Sequence, residues 1–192
     1  MKKVEQSIGL LALGANLPTS AGNPSDTLRA VLHRLHDSEI TLLAASRFWK
    51  TPAFPIGSGP DYTNAAAKIR TGLSAEVLLS RLHAIEAELG RVRGAGRWQS
   101  RGVDVDLLAL DDQVYPDAVT QDAWRALPLE QQKTDAPDRL ILPHPRVQDR
   151  AFVLVPLVEI APDWRHPRVG LTVREMHDAL PADAFEGMAL FA

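Results

Sequence analysis

SAEVLLSRLHAIEAELGRVRGAGRWQSRGVDVDLLAL, residues 74–110, is the stretch whose reading decides the fold. Ser74 can cap a helix, and Val77, Leu78, Leu82, Ile85 and Leu89 recur on one helical stripe. The spacing predicts a helix over 75–89, ended by Gly90. A glycine- and arginine-rich loop over 91–102 follows, and the period then changes to 2. Residues 103–110 read as a strand. Val103, Val105 and Leu107 point to one face, and Asp104 and Asp106 to the other. Upstream, 62–70 reads as a weak strand, because Ala65, Ala66 and Ala67 prefer helix. Residues 51–60, with Pro52, Pro55 and Pro60, form a stiff loop, and 40–50 reads as another strand. Ser25 is expected to cap a helix to His36 whose stripe is Leu28, Val31, Leu32 and Leu35. Residues 8–13 are a short apolar run ending in a Gly14-Ala15-Asn16 turn, as in a buried strand.

The resulting order is β-α-β-β-α-β followed by additions. It predicts an α+β fold: a ferredoxin-like split βαβ core with a mostly antiparallel sheet flanked by helices in three α/β/α layers. Residues 116–138 are polar and proline-punctuated, and read as a surface insertion with a short helix near 121–127. The apolar run 151–160 fits helix or strand by length alone, and Thr172 is expected to cap a last helix to Leu180. With 192 residues, 45% hydrophobic and 23% charged, the chain is expected to form one domain over 1–192. The absence of cysteine excludes a disulfide scaffold and a thiol nucleophile. A net charge of −3 excludes a global polyanion binder but leaves room for a local basic patch. The start, MKKVEQSIGLLALGA, superficially resembles a signal peptide. Glu5, Gln6 and Ser7 interrupt it and favour a buried strand. No apolar run approaches the ~20 residues of a membrane span, so the expected location is the cytoplasm.

The chemistry concentrates on 90–108. Two strand residues apart, Asp104 and Asp106 begin about 7 Å from each other on one face. An isolated Asp-x-Asp is by default a solvated strand face. The preceding loop changes that reading. Arg91, Arg93, Arg97 and Arg101 lie in an acid-free stretch, and Gly90, Gly94, Gly96 and Gly102 would let it close as a lid. Carboxylates for a hard cation beside guanidiniums for phosphate oxygens suit a magnesium-bound phosphate chain. His144 sits between two prolines on a fixed backbone, and Arg150 lies near Phe152. Tyr62 and Asn64 share a strand face, where a ring and an amide would grip a flat heterocycle. Each of these fragments alone is by default an ordinary surface histidine, a core aromatic or a cross-strand packing pair.

Together the segments resemble the 6-hydroxymethyl-7,8-dihydropterin pyrophosphokinase family. The matching pieces are LALGANL (11–17), SRFWKTPAF (46–54), PDYTNAA (60–66), IEAELGRVR (85–93), RWQSRGVDVDLLAL (97–110) and LPHPRVQDRAFVLVPLVEIAPDW (142–164). The resemblance implies transfer of pyrophosphate from ATP to the pterin hydroxymethyl group in folate biosynthesis, with in-line attack at the β-phosphorus and release of AMP. It implies two magnesium ions on Asp104 and Asp106. Tyr62 and Phe152 would sandwich the pterin, Asn64 would read its edge, and Thr51, Pro52 and Phe54 would line its pocket. Arg91 and Arg101 would be a catalytic phosphate pair. Glu86, Arg93, Trp98, His144 and Arg150 would complete the ATP site. ATP and hydroxymethyldihydropterin are then the partners, with no nucleic acid and no membrane. A monomer is expected, with association with dihydropteroate synthase as a further implication. The family's Trp-Gly-Pro-Arg is here Trp98-Gln99-Ser100-Arg101, Gly94 replaces a basic residue of some members, Pro145 replaces an aromatic, and the 116–138 insertion is longer than in compact members.

Rival readings fare worse. An RNA-binding sheet would carry a Gly-Phe-aromatic strand motif that this chain lacks. A catalytically dead pterin-binding regulator would be expected to lose a carboxylate, and both are retained. A metal-dependent phosphodiesterase leaves the Tyr62, Asn64 and Phe152 group unexplained.

Overall fold

The computed structural model describes residues 5–53, 57, 59–91, 102–128, 131, 135 and 137–191. Its strands are β1 (Ser7–Ala15), β2 (Ile40–Ala45), β3 (Trp49–Thr51), β4 (Tyr62–Thr71), β5 (Asp104–Leu110) and β6 (Ala189–Leu190). Its α-helices are α1 (Pro24–Arg34), α2 (Ala75–Glu88), α3 (Ala118–Ala126), α4 (Ala151–Ile160) and α5 (Val173–Asp178). The strands form an antiparallel sheet in the order β5-β1-β4-β3-β6, and β2 pairs with the other end of β4. With β2 and β3 counted as one interrupted strand, this is the split βαβ order expected from the sequence.

The sheet is buried on both faces. Leu11, Leu13, Ala65, Ala67, Ile69, Val105 and Leu107 pack against Leu28 and Val31 of α1 and Leu78, Leu82 and Ile85 of α2. Leu10, Ala66 and Leu108 pack on the other side against Val153, Leu154 and Leu157 of α4 and Val173 and Met176 of α5. Two covered faces explain why the central strands read as near-continuous apolar runs. Ala65, Ala66 and Ala67 are strand despite their helix preference, because pairing with β1 and burial on both faces outweigh a weak local propensity.

Several boundaries differ from expectation. Helix α1 is capped by Asn23, whose side chain accepts from the Asp26 N–H, with Pro24 at its first turn. Ser25 is inside the helix and donates to Asn23 Oδ1. The predicted 40–50 strand is two strands. Between them Ser46 Oγ accepts from the Ala66 N–H at 2.8 Å and donates to the Arg47 carbonyl, so a side chain takes the place of the backbone ladder. Val77, expected on the buried stripe of α2, is 53% exposed. The run 151–160 is helix, with Pro156 inside it. The last helix ends at Asp178 instead of near Leu180. Strand β6 had no recognisable signal, being two residues that pair with the β3 edge.

Candidate active site

The site lies where β1 ends and β4 and β5 begin. Strand register places Asn64 opposite Gly14 and Gly14 opposite Asp104, so β4, β1 and β5 contribute one residue each to a single row. Ala12 pairs with Asp106 in the next row on that face. Tyr62 and Asn64 alternate with the buried Thr63 and share the α4 side of the sheet with Ala66. Asn64 is buried, and its Nδ2 donates to Thr51 Oγ1 at 2.7 Å. That bond fixes which way the amide points and leaves Oδ1 as an acceptor. A Cβ on Gly14 would sit 3.0 Å from Asn64 Oδ1, so the glycine gives the amide room.

At the other end of the row, Arg91 follows α2 and reaches Asp104 Oδ1 at 2.6 Å. It also binds Glu86. Glu86 is 1% exposed and accepts the Val105 N–H at 2.8 Å. The sequence reading put Glu86 among the ATP contacts. In the structure its carboxylate ties α2, β5 and Arg91 together. Burial works against the charge of Arg91, but Asp104 and Glu86 beside it raise its pKa.

The third wall is the segment 142–152. The His144 N–H donates to the Leu108 carbonyl at 2.8 Å, beside β5. His144 Nδ1 accepts the Arg146 N–H at 3.0 Å, which assigns the proton to Nε2. Burial, and the charges of Arg150 and Arg146, push the pKa of His144 down to about 3, so the ring is neutral near pH 7. Arg150 precedes α4. Burial lowers its pKa, against the opposing pull of Asp106. Its guanidinium lies 5.7 Å from the Phe152 ring centre, and Phe152 is 42% exposed. The Arg150 carbonyl accepts the Val153 N–H at 3.1 Å, but its side chain offers no acceptor as N-cap of α4, so the Ala151 and Phe152 N–H groups get no side-chain cap and suit an anion.

Of the residues singled out from the sequence, the structure brings Thr51, Tyr62, Asn64, Asp104, Asp106, Arg91, Glu86, His144, Arg150 and Phe152 to one end of the sheet. Pro52 adjoins Thr51, and a Cβ on Gly187 would meet its Cγ at 2.6 Å, so the C-terminal segment packs on it. Phe54, Arg93, Trp98 and Arg101 lie outside the described residues. Sequence reasoning missed Asn16, which is buried and donates to the Pro60 carbonyl at 3.2 Å. It also missed Arg146 beside His144, although the motif Pro-His-Pro-Arg displayed that arginine. Among the described residues no three acidic or histidine side chains converge as a metal site. Two adjacent carboxylates are hard oxygen donors and fit a magnesium ion that keeps waters and phosphate oxygens as its remaining ligands.

Comparison with known proteins gives a consistent result. The family model of 7,8-dihydro-6-hydroxymethylpterin-pyrophosphokinase (HPPK) matches residues 10–162. Proteins named 2-amino-4-hydroxy-6-hydroxymethyldihydropteridine pyrophosphokinase are similar to this chain. The one from Haemophilus influenzae is 38% identical over 80% of this chain and 81% of its own length. The one from Pseudomonas aeruginosa is 34% identical over 93% of each. One from Synechocystis is 39% identical, but the chain spans only 53% of its length. Among solved structures, wild-type Plasmodium falciparum HPPK-DHPS superposes with a TM-score of 0.63 at 13% identity, covering 91% of this chain and 41% of that one. That likeness shows the fold.

Proposed function

The chain belongs to the 7,8-dihydro-6-hydroxymethylpterin-pyrophosphokinase family of folate biosynthesis, and from that premise we propose that residues 1–192 form one domain that transfers pyrophosphate from ATP to 6-hydroxymethyl-7,8-dihydropterin. The observation that carries this reading is the row Asn64–Gly14–Asp104, with Asp106 on the same face. It sets an oriented amide beside a pair of carboxylates, as a substrate with a flat ring and a reacting hydroxymethyl arm requires.

The ring would lie between Tyr62 and the exposed face of Phe152, with Asn64 Oδ1 accepting a ring N–H. Thr51 holds that amide, and Pro52 and Phe54 would close the pocket. Arg91 and Arg101 would bind the phosphates, with Arg93 and Trp98 on the loop that covers them. His144 would donate from Nε2, and Arg150 would add charge beside the α4 N-terminus. Glu86 acts through Arg91. Asp104 and Asp106 would hold two magnesium ions, which would neutralise the phosphate chain and acidify the hydroxyl. The hydroxymethyl oxygen then forms a bond to the β-phosphorus in line as the bridging α–β bond breaks. AMP leaves with the electron pair, and the hydroxyl proton is released. The protein's part is alignment and charge, so no side-chain base is required.

A negative net charge argues against nucleic acid as a ligand. No helix among the described residues is long and apolar enough to cross a membrane. We read the chain as a cytoplasmic monomer. The HPPK-DHPS makeup of the structural neighbours makes dihydropteroate synthase a candidate partner.

The test is AMP release from ATP and magnesium with and without the pterin, in wild type and Asp104→Ala. Pterin-dependent AMP that the substitution abolishes, with pterin affinity retained, is the expected result. Unchanged turnover in Asp104→Ala would overturn the metal assignment, and no pterin-dependent AMP would overturn the reaction.

A further inference from the structure

Resting on the reading that His144 meets ATP, we propose that Gln121, on the insertion helix α3, is a positioning residue that holds the Pro143–His144 segment for nucleotide binding. Gln121 is fully buried, unusual for a glutamine on a polar surface insertion. Its Nε2 donates to the Pro143 carbonyl at 3.2 Å, across a sequence separation of 22. That carbonyl belongs to the peptide bond that leads into His144.

The chemistry of the segment explains the need for a brace. Pro143 and Pro145 flank His144, and neither can donate a backbone hydrogen bond. The backbone of the segment is held by the His144 N–H on Leu108 of β5 and by the reciprocal Tyr115–Leu142 bonds of 2.8 and 2.9 Å. Gln121 adds a side-chain tie at the carbonyl between them. Helix α3 is itself capped at its N-terminus and tied at mid-helix to a distant loop. Asp117 caps it through the Thr120 N–H at 2.8 Å. Asp122 pairs with Arg125 and with Arg168, in the loop where His166 Nδ1 accepts the Arg168 and Val169 N–H groups. Among the described residues, Gln121 Oε1 is buried with no hydrogen-bond partner. A side chain serving packing alone would be better apolar, since a buried unpaired acceptor is costly. The position keeps an amide whose one made bond lands next to His144. The insertion is thus a splint for the nucleotide side of the site.

A loosened segment presents His144 correctly for a smaller fraction of the time, and the apparent ATP affinity falls by that fraction. Calorimetric titration of ATP with magnesium into the full chain reads this without turnover. Gln121→Met keeps length and helix propensity but removes the donor. It is expected to weaken ATP about fivefold, the loss of one ordinary hydrogen bond, with pterin affinity unchanged. In a His144→Ala background the same substitution is expected to add nothing, which a purely structural role would not produce. Unchanged ATP affinity, or an equal loss in both backgrounds, would overturn the proposal. Should Gln121→Met not fold, Asp117→Ala frays α3 from its exposed cap. It should weaken ATP in the same direction only while His144 is present. ATP binding by wild type without pterin-dependent AMP would overturn the pyrophosphokinase reading and leave the titration to decide the splint.

Discussion

Replacing Glu86 by glutamine isolates the charge of a carboxylate that joins α2, β5 and the candidate phosphate-binding arginine. Glu86 is 1% exposed. Its Oε1 accepts the Val105 N–H at 2.8 Å and binds Arg91. Glutamine has nearly the same shape and can still accept from Val105, so what is lost is the charge facing Arg91. Removing one partner of a buried ion pair generally costs about 3–5 kcal/mol. Here Arg91 keeps Asp104 at 2.6 Å, and its side chain is 18% exposed, so the guanidinium is not stranded. The loss then approaches that of one charge-assisted hydrogen bond, about 2 kcal/mol. At about 2–4 °C per kcal/mol for a chain of this size, the melting temperature should fall by about 4–8 °C. Differential scanning calorimetry measures it. Glu86→Ala should fall further, because the buried Val105 N–H then also loses its acceptor. A glutamine variant that melts with wild type, or an alanine variant no worse than glutamine, would refute the view that Glu86 holds this junction.

Two further outcomes are expected. Burial holds His144 near pKa 3 and His166 near pKa 4, against about 6.5 in the unfolded chain. Protons taken up below about pH 6.5 therefore bind the unfolded chain preferentially. The stability contributed by these neutral rings is complete above that pH and is lost as pH falls toward 4 and then 3. Urea midpoints measured from pH 7 to 4 should decline, and His166→Asn, which keeps an acceptor for the Arg168 N–H, should flatten the decline. A slope unaltered by that substitution would refute the assignment. Phe152→Ala should weaken pterin binding by about 1–3 kcal/mol, since the ring would supply one face of the stack. Its exposure predicts little change in melting temperature. Fluorescence titration with the pterin tests it, and equal affinity would remove Phe152 from the pocket.

Much of the architecture was legible because its signals are local. The α2 stripe apart from Val77, the Ser74 cap and the Asp-x-Asp strand depend on neighbours within a turn or two, and they appear where expected. What the sequence misread or left open lies where distant partners decide. Ser46 interrupts a strand because Ala66, twenty residues on, bonds its hydroxyl. Run 151–160 settled as helix through packing under the sheet. Glu86 was placed at the nucleotide site by resemblance, and only the approach of β5 and Arg91 shows that it is also a buried tie.

Sequence by itself determined the β-α-β-β-α-β order of the core, the family motifs and the residue types gathered near 104–106. These are properties of short periodicities and of side-chain chemistry. Tertiary structure alone decided that Asn64, Gly14 and Asp104 stand in one row, that Thr51 turns the Asn64 amide, and that an insertion helix reaches back to the Pro143 carbonyl. Strand register and the burial of polar groups are set by pairing between segments far apart in the chain, and no local pattern carries that information.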